Sequence, residues 1–185
     1  QLLDEPAHLV GHSYGAIVCA FAATARPQAV RSLVMVEPPA LHLGRGHEDV
    51  EWRAHELRDI IGGGETDPRA ILRRFFDTAG VRAPIPDPLP APLAKGALAL
   101  VGTRSPDEAE LPLDQLALLA APVVVVSGGH ADAYELVCDV IADRTSARRE
   151  VVPGAAHMVQ ETDAPFNALL EDVWRSAEAA PSYSG

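Results

Sequence analysis

An apolar segment of the chain runs directly into an alanine-rich helix pattern, with no loop residues between the two. The segment is residues 7–25, AHLVGHSYGAIVCAFAATA, and its junction is the Gly-x-Ser-x-Gly motif of residues 11–15. A strand that turns at once into a helix leaves little room for side chains, so Gly11 and Gly15 are expected to let strand and helix approach closely. Ser13 is then held on a strained turn at the helix N-terminus, where its hydroxyl is presented as a nucleophile. The alternative interpretation is a tight turn in which Ser13 only caps the helix.

The change from strand pattern to helix pattern recurs along the chain. The clearest strand signal is PVVVVSGG, in which four consecutive valines lie between a proline and a glycine pair. Near-continuous apolar strands that alternate with helices are typical of a parallel sheet covered on both faces, so the sequence predicts an α/β fold. We predict strands at about 7–10, 31–36, 122–129 and 149–152, and core helices at about 14–25, 133–144 and 164–178.

Residues 40–110 interrupt this alternation, because they carry helix patterns and no strand pattern. In TDPRAILRRFFDTAG, Asp67 is a predicted N-cap, Pro68 occupies the first helical position and Gly80 ends the helix. Amphipathic HEDVEWRAHELRDIIGG precedes it, and a proline-rich loop and a shorter helix at about 92–101 follow. We therefore predict a helical cap. The predicted division is core at 1–39, cap at 40–110, core at 111–178 and a disordered tail at 179–185.

Composition limits the classes of partner. The chain has 185 residues, enough for one domain with a sizeable core, and a net charge of −11. That charge argues against nucleic acid and anionic membrane surfaces as partners. No apolar run reaches the roughly 20 residues that span a bilayer, and no signal peptide is visible. Cys19 and Cys138 give no disulfide framework, so we predict buried thiols and a cytoplasmic location.

His157 is the candidate general base. It lies in PGAAHM, a loop predicted between the last strand and the last helix. A serine hydroxyl is a poor nucleophile until a base accepts its proton, and a neutral imidazole does so near pH 7. The alternative is a loop histidine that only hydrogen-bonds to the backbone.

Taken together, these residues resemble the α/β-hydrolase family over almost the whole chain. The matching segments are LVGHSYGA, SLVMVEPP, APVVVVSGGHAD and VPGAAHMVQETDAPFNALL. The resemblance implies a parallel sheet and hydrolysis through an acyl-enzyme without a cofactor, with Ser13 as nucleophile and His157 as base. The turn of the Gly-x-Ser-x-Gly motif, which we call the elbow, carries a serine. A serine there, instead of an aspartate, argues against the haloalkane dehalogenase and epoxide hydrolase branches.

The resemblance leaves two candidates for the acid that orients His157. The family usually carries this acid after the strand that precedes the histidine strand, often as Gly-x-x-Asp, which fits Gly129 and Asp132. Some relatives carry it one strand earlier, which here is Glu37, between apolar VMV and two prolines. Either carboxylate could orient the imidazole. We favour Asp132, with Glu37 as the alternative.

The oxyanion of an acyl-transfer intermediate needs hydrogen-bond donors. The backbone N–H of Tyr14 is one. The family takes the second from a loop near the N-terminal end of the domain, and the ten residues before Gly11 do not contain it. By the same comparison the first four strands are absent. We therefore expect the C-terminal two thirds of a hydrolase, poorly active alone, with the elbow strand at an exposed edge that is prone to self-association.

The remaining candidates have weaker signals. His12 and Met158 are predicted to contact a small-molecule substrate. His130 lies near Asp132, but no His-x₃-His or cysteine spacing supports a metal site, so we predict none. The favoured function is a serine hydrolase of a small ester. C–C bond hydrolysis, lactone opening, perhydrolase chemistry, non-catalytic ligand binding and a fragment completed by another polypeptide remain as alternatives.

Overall fold

A computed structural model describes residues 5–179 of the chain. Within that range four strands form one parallel sheet, in the order β1–β2–β3–β4. The predicted parallel α/β fold is therefore confirmed. Of the tail predicted at 179–185, only Ala179 is described, and it is the last residue of a helix. The strands are β1 (Ala7–His12), β2 (Val30–Val36), β3 (Val123–Ser127) and β4 (Arg148–Val151).

Seven α-helices are found in the same residues, and six of them lie where the sequence predicts helices. The third one begins and ends as predicted, because Asp67 Oδ1 accepts a hydrogen bond of 3.0 Å from the N–H of Arg69 and Gly80 closes the helix with a φ of 77°. The short fifth helix was not predicted. The helices are α1 (Tyr14–Ala25), α2 (Glu48–Gly62), α3 (Pro68–Ala79), α4 (Ala91–Leu100), α5 (Leu113–Leu116), α6 (Asp132–Thr145) and α7 (Ala164–Ala179).

Both faces of the two central strands, β2 and β3, are buried under helices. Along β2, Leu33 and Met35 pack with residues of α1 and α6, whereas Val34 and Val36 pack with residues of α7 on the opposite face. This alternation follows from the period of two along a strand. It explains why the strands read as continuous apolar runs in the sequence.

The segment predicted as a cap is helical throughout its regular structure. Side chains of α2, α3 and α4 form an apolar cluster of their own, with Ile60, Ile71, Leu72 and Ala97 at its centre. A second apolar face of α2 packs against the core of the sheet layer. The helices of this segment therefore pack both against one another and, through α2, against the core of the sheet layer. No described helix is both long enough and apolar enough to span a bilayer.

Strand β1 is an edge of the sheet in the part of the chain that the structure describes, because its pairing is with β2. This is the position that the sequence predicted for the elbow strand. Four large apolar side chains lie exposed on β1 and on α1: Val10, Tyr14, Val18 and Phe21.

Candidate active site at the carboxyl ends of the strands

Ser13 forms the sharp turn between β1 and α1. Its backbone has φ 53° and ψ −125°, a conformation that costs a non-glycine residue about 1–3 kcal/mol. The N–H of Ser13 donates to the carbonyl oxygen of Val36 at 2.8 Å, which fixes the turn to the neighbouring strand. The side chain makes no hydrogen bond to the helix end. The capping alternative is therefore not supported, and the hydroxyl is held on a strained elbow.

The two motif glycines differ in what their missing side chains allow. A Cβ on Gly11 would lie 2.3 Å from the carbonyl oxygen of Gly15, so the close approach of strand and helix requires a glycine at this position. A Cβ on Gly15 would meet no atom within 4 Å. The expectation that both glycines permit the approach is right for Gly11 and wrong for Gly15, because position 15 contributes its backbone to the contact and its Cβ direction points to open space.

Glu37 is a fully buried carboxylate one residue beyond the end of β2. Its Oε1 accepts a hydrogen bond of 2.6 Å from the N–H of Gly128. Its Oε2 lies 3.2 Å from Nδ1 of His157 and 2.9 Å from Nε2 of His130. Burial alone would raise the pKa of Glu37, but the hydrogen bonds from His130, His157 and Gly128 outweigh burial and lower the pKa. The site therefore holds an ionised carboxylate.

His157 lies between β4 and α7 with a side chain that is 2% exposed. Because an ionised carboxylate only accepts hydrogen bonds, the proton between His157 and Glu37 resides on Nδ1. Nε2 of a neutral ring is then free to accept a proton. Ser13 and His157 line the same cavity, of about 490 Å³. The described residues show no hydrogen bond between the two, and such bonds are commonly long before substrate binds.

The structure does not bring Asp132 to His157, so the preference for Asp132 as the acid is corrected. Asp132 is the first residue of α6, its side chain is exposed, and within residues 5–179 its carboxylate makes no hydrogen bond or ion pair. The helix that begins at this position directs the side chain to solvent. Glu37, the alternative acid, is the carboxylate that contacts His157.

His12 and Met158 line the 490 Å³ cavity with Ser13 and His157. Nε2 of His12 donates a hydrogen bond of 2.8 Å to the carbonyl oxygen of His157, and the two rings lie 4.7 Å apart. Burial lowers the pKa of His12, and the neighbouring His157 lowers it further. A neutral His12 therefore holds the histidine loop in place from the elbow side.

A second cavity, of about 310 Å³, opens beside the elbow. Ser13 and Tyr14 lie in its wall, and the backbone N–H of Tyr14 is one of the first N–H groups of α1, which have no acceptor within the helix. The helical segment of residues 40–110 supplies most of the other lining residues, and they are predominantly apolar: Leu57, Ile60, Ile61, Phe75, Ala79 and Leu100.

Two further groups, to which the sequence motifs assign no role, contact Glu37. They are the N–H of Gly128 and the ring of His130, both in the turn after β3. The signal that could have found them is their position directly after the strongest strand in the sequence, where polar groups of neighbouring parallel strands meet.

The ligand atoms of Glu37, His130 and His157 lie within 4.8 Å of one another, close enough for a metal ion. Hydrogen bonds already join these atoms, so we interpret the group as hydrogen-bonded side chains and assign no metal ligand.

Comparison with known proteins gives the same architecture. Residues 1–170 match the model of the alpha/beta hydrolase family. Among solved structures, NosK from Streptomyces actuosus is 24% identical with a TM-score of 0.59, and 94% of this chain covers 70% of that one. Proline iminopeptidase of Mycobacterium smegmatis is 19% identical with a TM-score of 0.56, with 96% of this chain covering 68% of that one. A thioesterase domain from the curacin biosynthetic pathway is 18% identical with a TM-score of 0.51, and 91% of this chain covers 67% of that one.

The chain thus spans about two thirds of the length of these structures. A comparison with curated protein sequences gives no significant match. The match to the family model covers most of the chain, including Ser13, Glu37 and His157. The chain therefore belongs to the alpha/beta hydrolase family.

Proposed function

We propose that this protein is a serine hydrolase that cleaves a small ester or a related acyl compound through an acyl-enzyme. The observation that carries the proposal is the combination at the strand ends. Ser13 stands on a strained turn and lines the same cavity as His157. Nδ1 of His157 contacts the buried carboxylate of Glu37. This order of nucleophile, base and orienting acid is the arrangement that activates a serine hydroxyl.

In the proposed reaction, Oγ of Ser13 attacks the substrate carbonyl carbon and Nε2 of His157 takes the hydroxyl proton. Glu37 stabilises the imidazolium through Nδ1–H. The N–H of Tyr14 donates to the oxyanion of the tetrahedral intermediate. When the intermediate collapses, His157 returns the proton to the leaving oxygen. Water then attacks the acyl-enzyme with His157 as base, which releases the acid and restores Ser13.

The lining of the smaller cavity suggests the class of substrate. Its volume, about 310 Å³, lies at the lower end of the range for small-molecule sites, and its walls are mainly aliphatic and aromatic side chains of the cap. We therefore propose that a small apolar acyl group binds there, next to Ser13, while the leaving group faces the larger cavity.

Labelling with a fluorophosphonate probe tests the nucleophile. We expect the wild-type protein to be labelled and to hydrolyse p-nitrophenyl butyrate at a low but measurable rate, and the variant Ser13→Ala to lose both. Ser146→Ala is a matched control, because Ser146 also has a positive φ, of 57°, but follows the end of α6 and lines neither cavity that contains Ser13.

Labelling that persists in Ser13→Ala would contradict the assignment of the nucleophile. A folded wild-type protein that is neither labelled nor active would instead favour non-catalytic ligand binding. Circular dichroism spectra of all three proteins show whether each is folded.

A further inference from the structure

The turn after β3 surrounds the buried acid with hydrogen-bond donors. The N–H of Gly128 donates to Oε1 of Glu37 at 2.6 Å, and Nε2 of His130 donates to Oε2 at 2.9 Å. Both oxygens of the carboxylate are thus held by a single turn. The sequence predicts that this turn supplies the acid itself, at Asp132. The structure shows a turn that receives an acid from the neighbouring strand.

The ring of His130 has little freedom to leave Glu37. Its side chain is 4% exposed, and the ring of Tyr134 packs against it with a centroid distance of 5.2 Å. On another side lies Gly80, the left-handed residue that ends α3. A Cβ at position 80 would stand 2.4 Å from both Nδ1 and Cε1 of His130. The end of a cap helix therefore closes against the ring.

The backbone of the turn is fixed from behind by Glu135 in the first turn of α6. One of its carboxylate oxygens accepts a hydrogen bond of 2.7 Å from the hydroxyl of Ser127, and the other accepts one of 3.1 Å from the N–H of Gly129. Arg149 of β4 forms an ion pair with the same carboxylate. The residues on both sides of Gly128 are thereby held, and His130 follows directly from this fixed backbone.

We propose that His130 is a positioning residue for Glu37, which acts by orienting the carboxylate toward His157. Oε2 has two lone pairs. The hydrogen bond from His130 occupies one of them, and the other faces Nδ1 of His157. Without His130 the carboxylate keeps the Gly128 bond on Oε1 and the 3.2 Å contact of Oε2 with His157. Oε2 then has no second donor that fixes it in the direction of His157. The effect on catalysis rests on the proposed function, whereas the effect on Glu37 does not.

Two substitutions separate hydrogen bonding from packing. His130→Leu introduces an apolar side chain of similar bulk and removes the hydrogen-bond donor. His130→Gln keeps a donor near the position of Nε2. We expect His130→Leu to lower kcat for p-nitrophenyl butyrate by about 10- to 100-fold, with KM changed less than about twofold. Losses of this size are typical of residues that orient the ligands of catalytic metals, which act in the same indirect way. His130→Gln should recover kcat to within about threefold of wild type.

The matched control is His42→Leu, the same change at a half-buried histidine in the cap. His42 lines neither cavity that contains Ser13, and its Nε2 accepts a hydrogen bond from the N–H of Leu111. We expect this variant to keep wild-type kcat. A loss of activity in His42→Leu that equals the loss in His130→Leu would show a general effect on folding and would overturn the proposal.

A measurement that does not need activity is the NMR titration of the ¹³C-labelled Glu37 carboxyl group. The ionisable groups around Glu37 and His130 include His157 and His12. They also include the Tyr134 hydroxyl, whose pKa is raised by burial, and the ion pair of Asp49 with Arg53, whose guanidinium lies 5.6 Å from the Tyr134 ring. Because a donor stabilises the charged form, His130→Leu should raise the pKa of Glu37 and His130→Gln should leave it near the wild-type value.

An unchanged Glu37 titration in His130→Leu would overturn the proposal whether or not the protein is a hydrolase. If His130→Leu and His130→Gln both remain within about twofold of wild-type kcat in a protein that is labelled at Ser13, His130 has no positioning role, and the proposed function stands without it. A shifted titration in a protein that the fluorophosphonate probe does not label would support the role of His130 and contradict only the hydrolase proposal.

Discussion

Glu37 and Asp132 are both acidic residues near the end of a strand, but their surroundings differ completely. Glu37 is fully buried and accepts three hydrogen bonds, whereas the Asp132 side chain is exposed to solvent. We expect Glu37→Gln to lower kcat by about 10²- to 10⁴-fold, because the neutral amide no longer stabilises the His157 imidazolium. Asp132→Asn should remain within about twofold of wild type. Steady-state kinetics on a p-nitrophenyl ester measure both.

Equal losses in the two variants would contradict the role of Glu37. Because replacing a buried carboxylate also perturbs folding, the urea unfolding curve of each variant is the control. A variant that is folded in buffer and has lost kcat reports on the chemistry.

His12 makes the free energy of unfolding depend on pH. The pKa of His12 is lowered in the folded protein, so the unfolded chain binds more protons between the two pKa values and stability decreases as the pH falls through that window. The window begins near the unfolded value of about 6.5 and extends downward. The loss amounts to about 1.4 kcal/mol for each unit by which the two pKa values differ.

We expect the variant His12→Gln to lose less stability than wild type when the pH falls from about 7 to 5. Urea unfolding at several pH values measures this. His55→Gln, at an exposed position on α2, is the control and should follow the wild-type curve. A His12→Gln curve parallel to that of wild type would contradict the shift.

At the level of secondary-structure elements, the junction of β1 and α1 gives a sharp prediction from its two glycines. Gly11→Ala should destabilise the protein by about 1–3 kcal/mol, because its Cβ would overlap the backbone of Gly15. Gly15→Ala should be neutral or should stabilise by up to about 1 kcal/mol, because position 15 is helical and open. Urea unfolding distinguishes them, and equal losses would contradict the described packing.

Helix α3 separates the two cavities, since Phe75 lines both of them. We expect Phe75→Ala to join the cavities and to favour longer acyl groups. The ratio of kcat/KM for p-nitrophenyl octanoate to that for the butyrate should rise by about tenfold or more.

Phe76→Ala is the matched control, because Phe76 lines the larger cavity and not the smaller one. In Phe76→Ala the ratio of kcat/KM for the octanoate to that for the butyrate should change by less than about threefold. A ratio that changes equally in both variants would contradict binding of the acyl group in the smaller cavity.

The sequence predicts the elements of this fold well and the site only in part. The valine run of β3 and the caps of α3 are local signals, and each leads to the observed element. The choice between Glu37 and Asp132 is not local. It depends on whether the turn after β3 supplies the acid or binds an acid from another strand. The hydrogen bonds of Glu37 with Gly128 and His130, which are 91 and 93 residues away along the chain, decide this. Spacing within the turn cannot report such contacts.

At the scale of the whole molecule, the edge that β1 forms in the sheet of residues 5–179 has a consequence in solution. Val18 and Phe21 expose 54% and 43% of their surface on α1, beside the edge strand. Unpaired strand edges with apolar neighbours tend to pair with another chain. We propose that copies of this chain associate through this edge, and we expect the molar mass by light scattering to rise above 19.6 kDa with concentration.

The double variant Val18→Lys/Phe21→Lys should shift the protein toward the monomer. Leu118→Lys is the control, because Leu118 is 85% exposed and lies in the turn after α5, outside both β1 and α1. A wild-type protein that stays monomeric at all concentrations would contradict this use of the edge.

The hydrogen-bond ladder of the sheet continues for one residue beyond the strands, from Ser13 to Val36 and from Glu37 to Val126. The separation of Ser13 and Glu37 is therefore set by the spacing of adjacent strands, whereas the walls of the smaller cavity come mainly from the helical segment of residues 40–110. We expect that this segment can be replaced by another without moving Ser13 or Glu37. A replacement segment has to reproduce the contacts of Gly80 with the ring of His130 and with the N–H of His157.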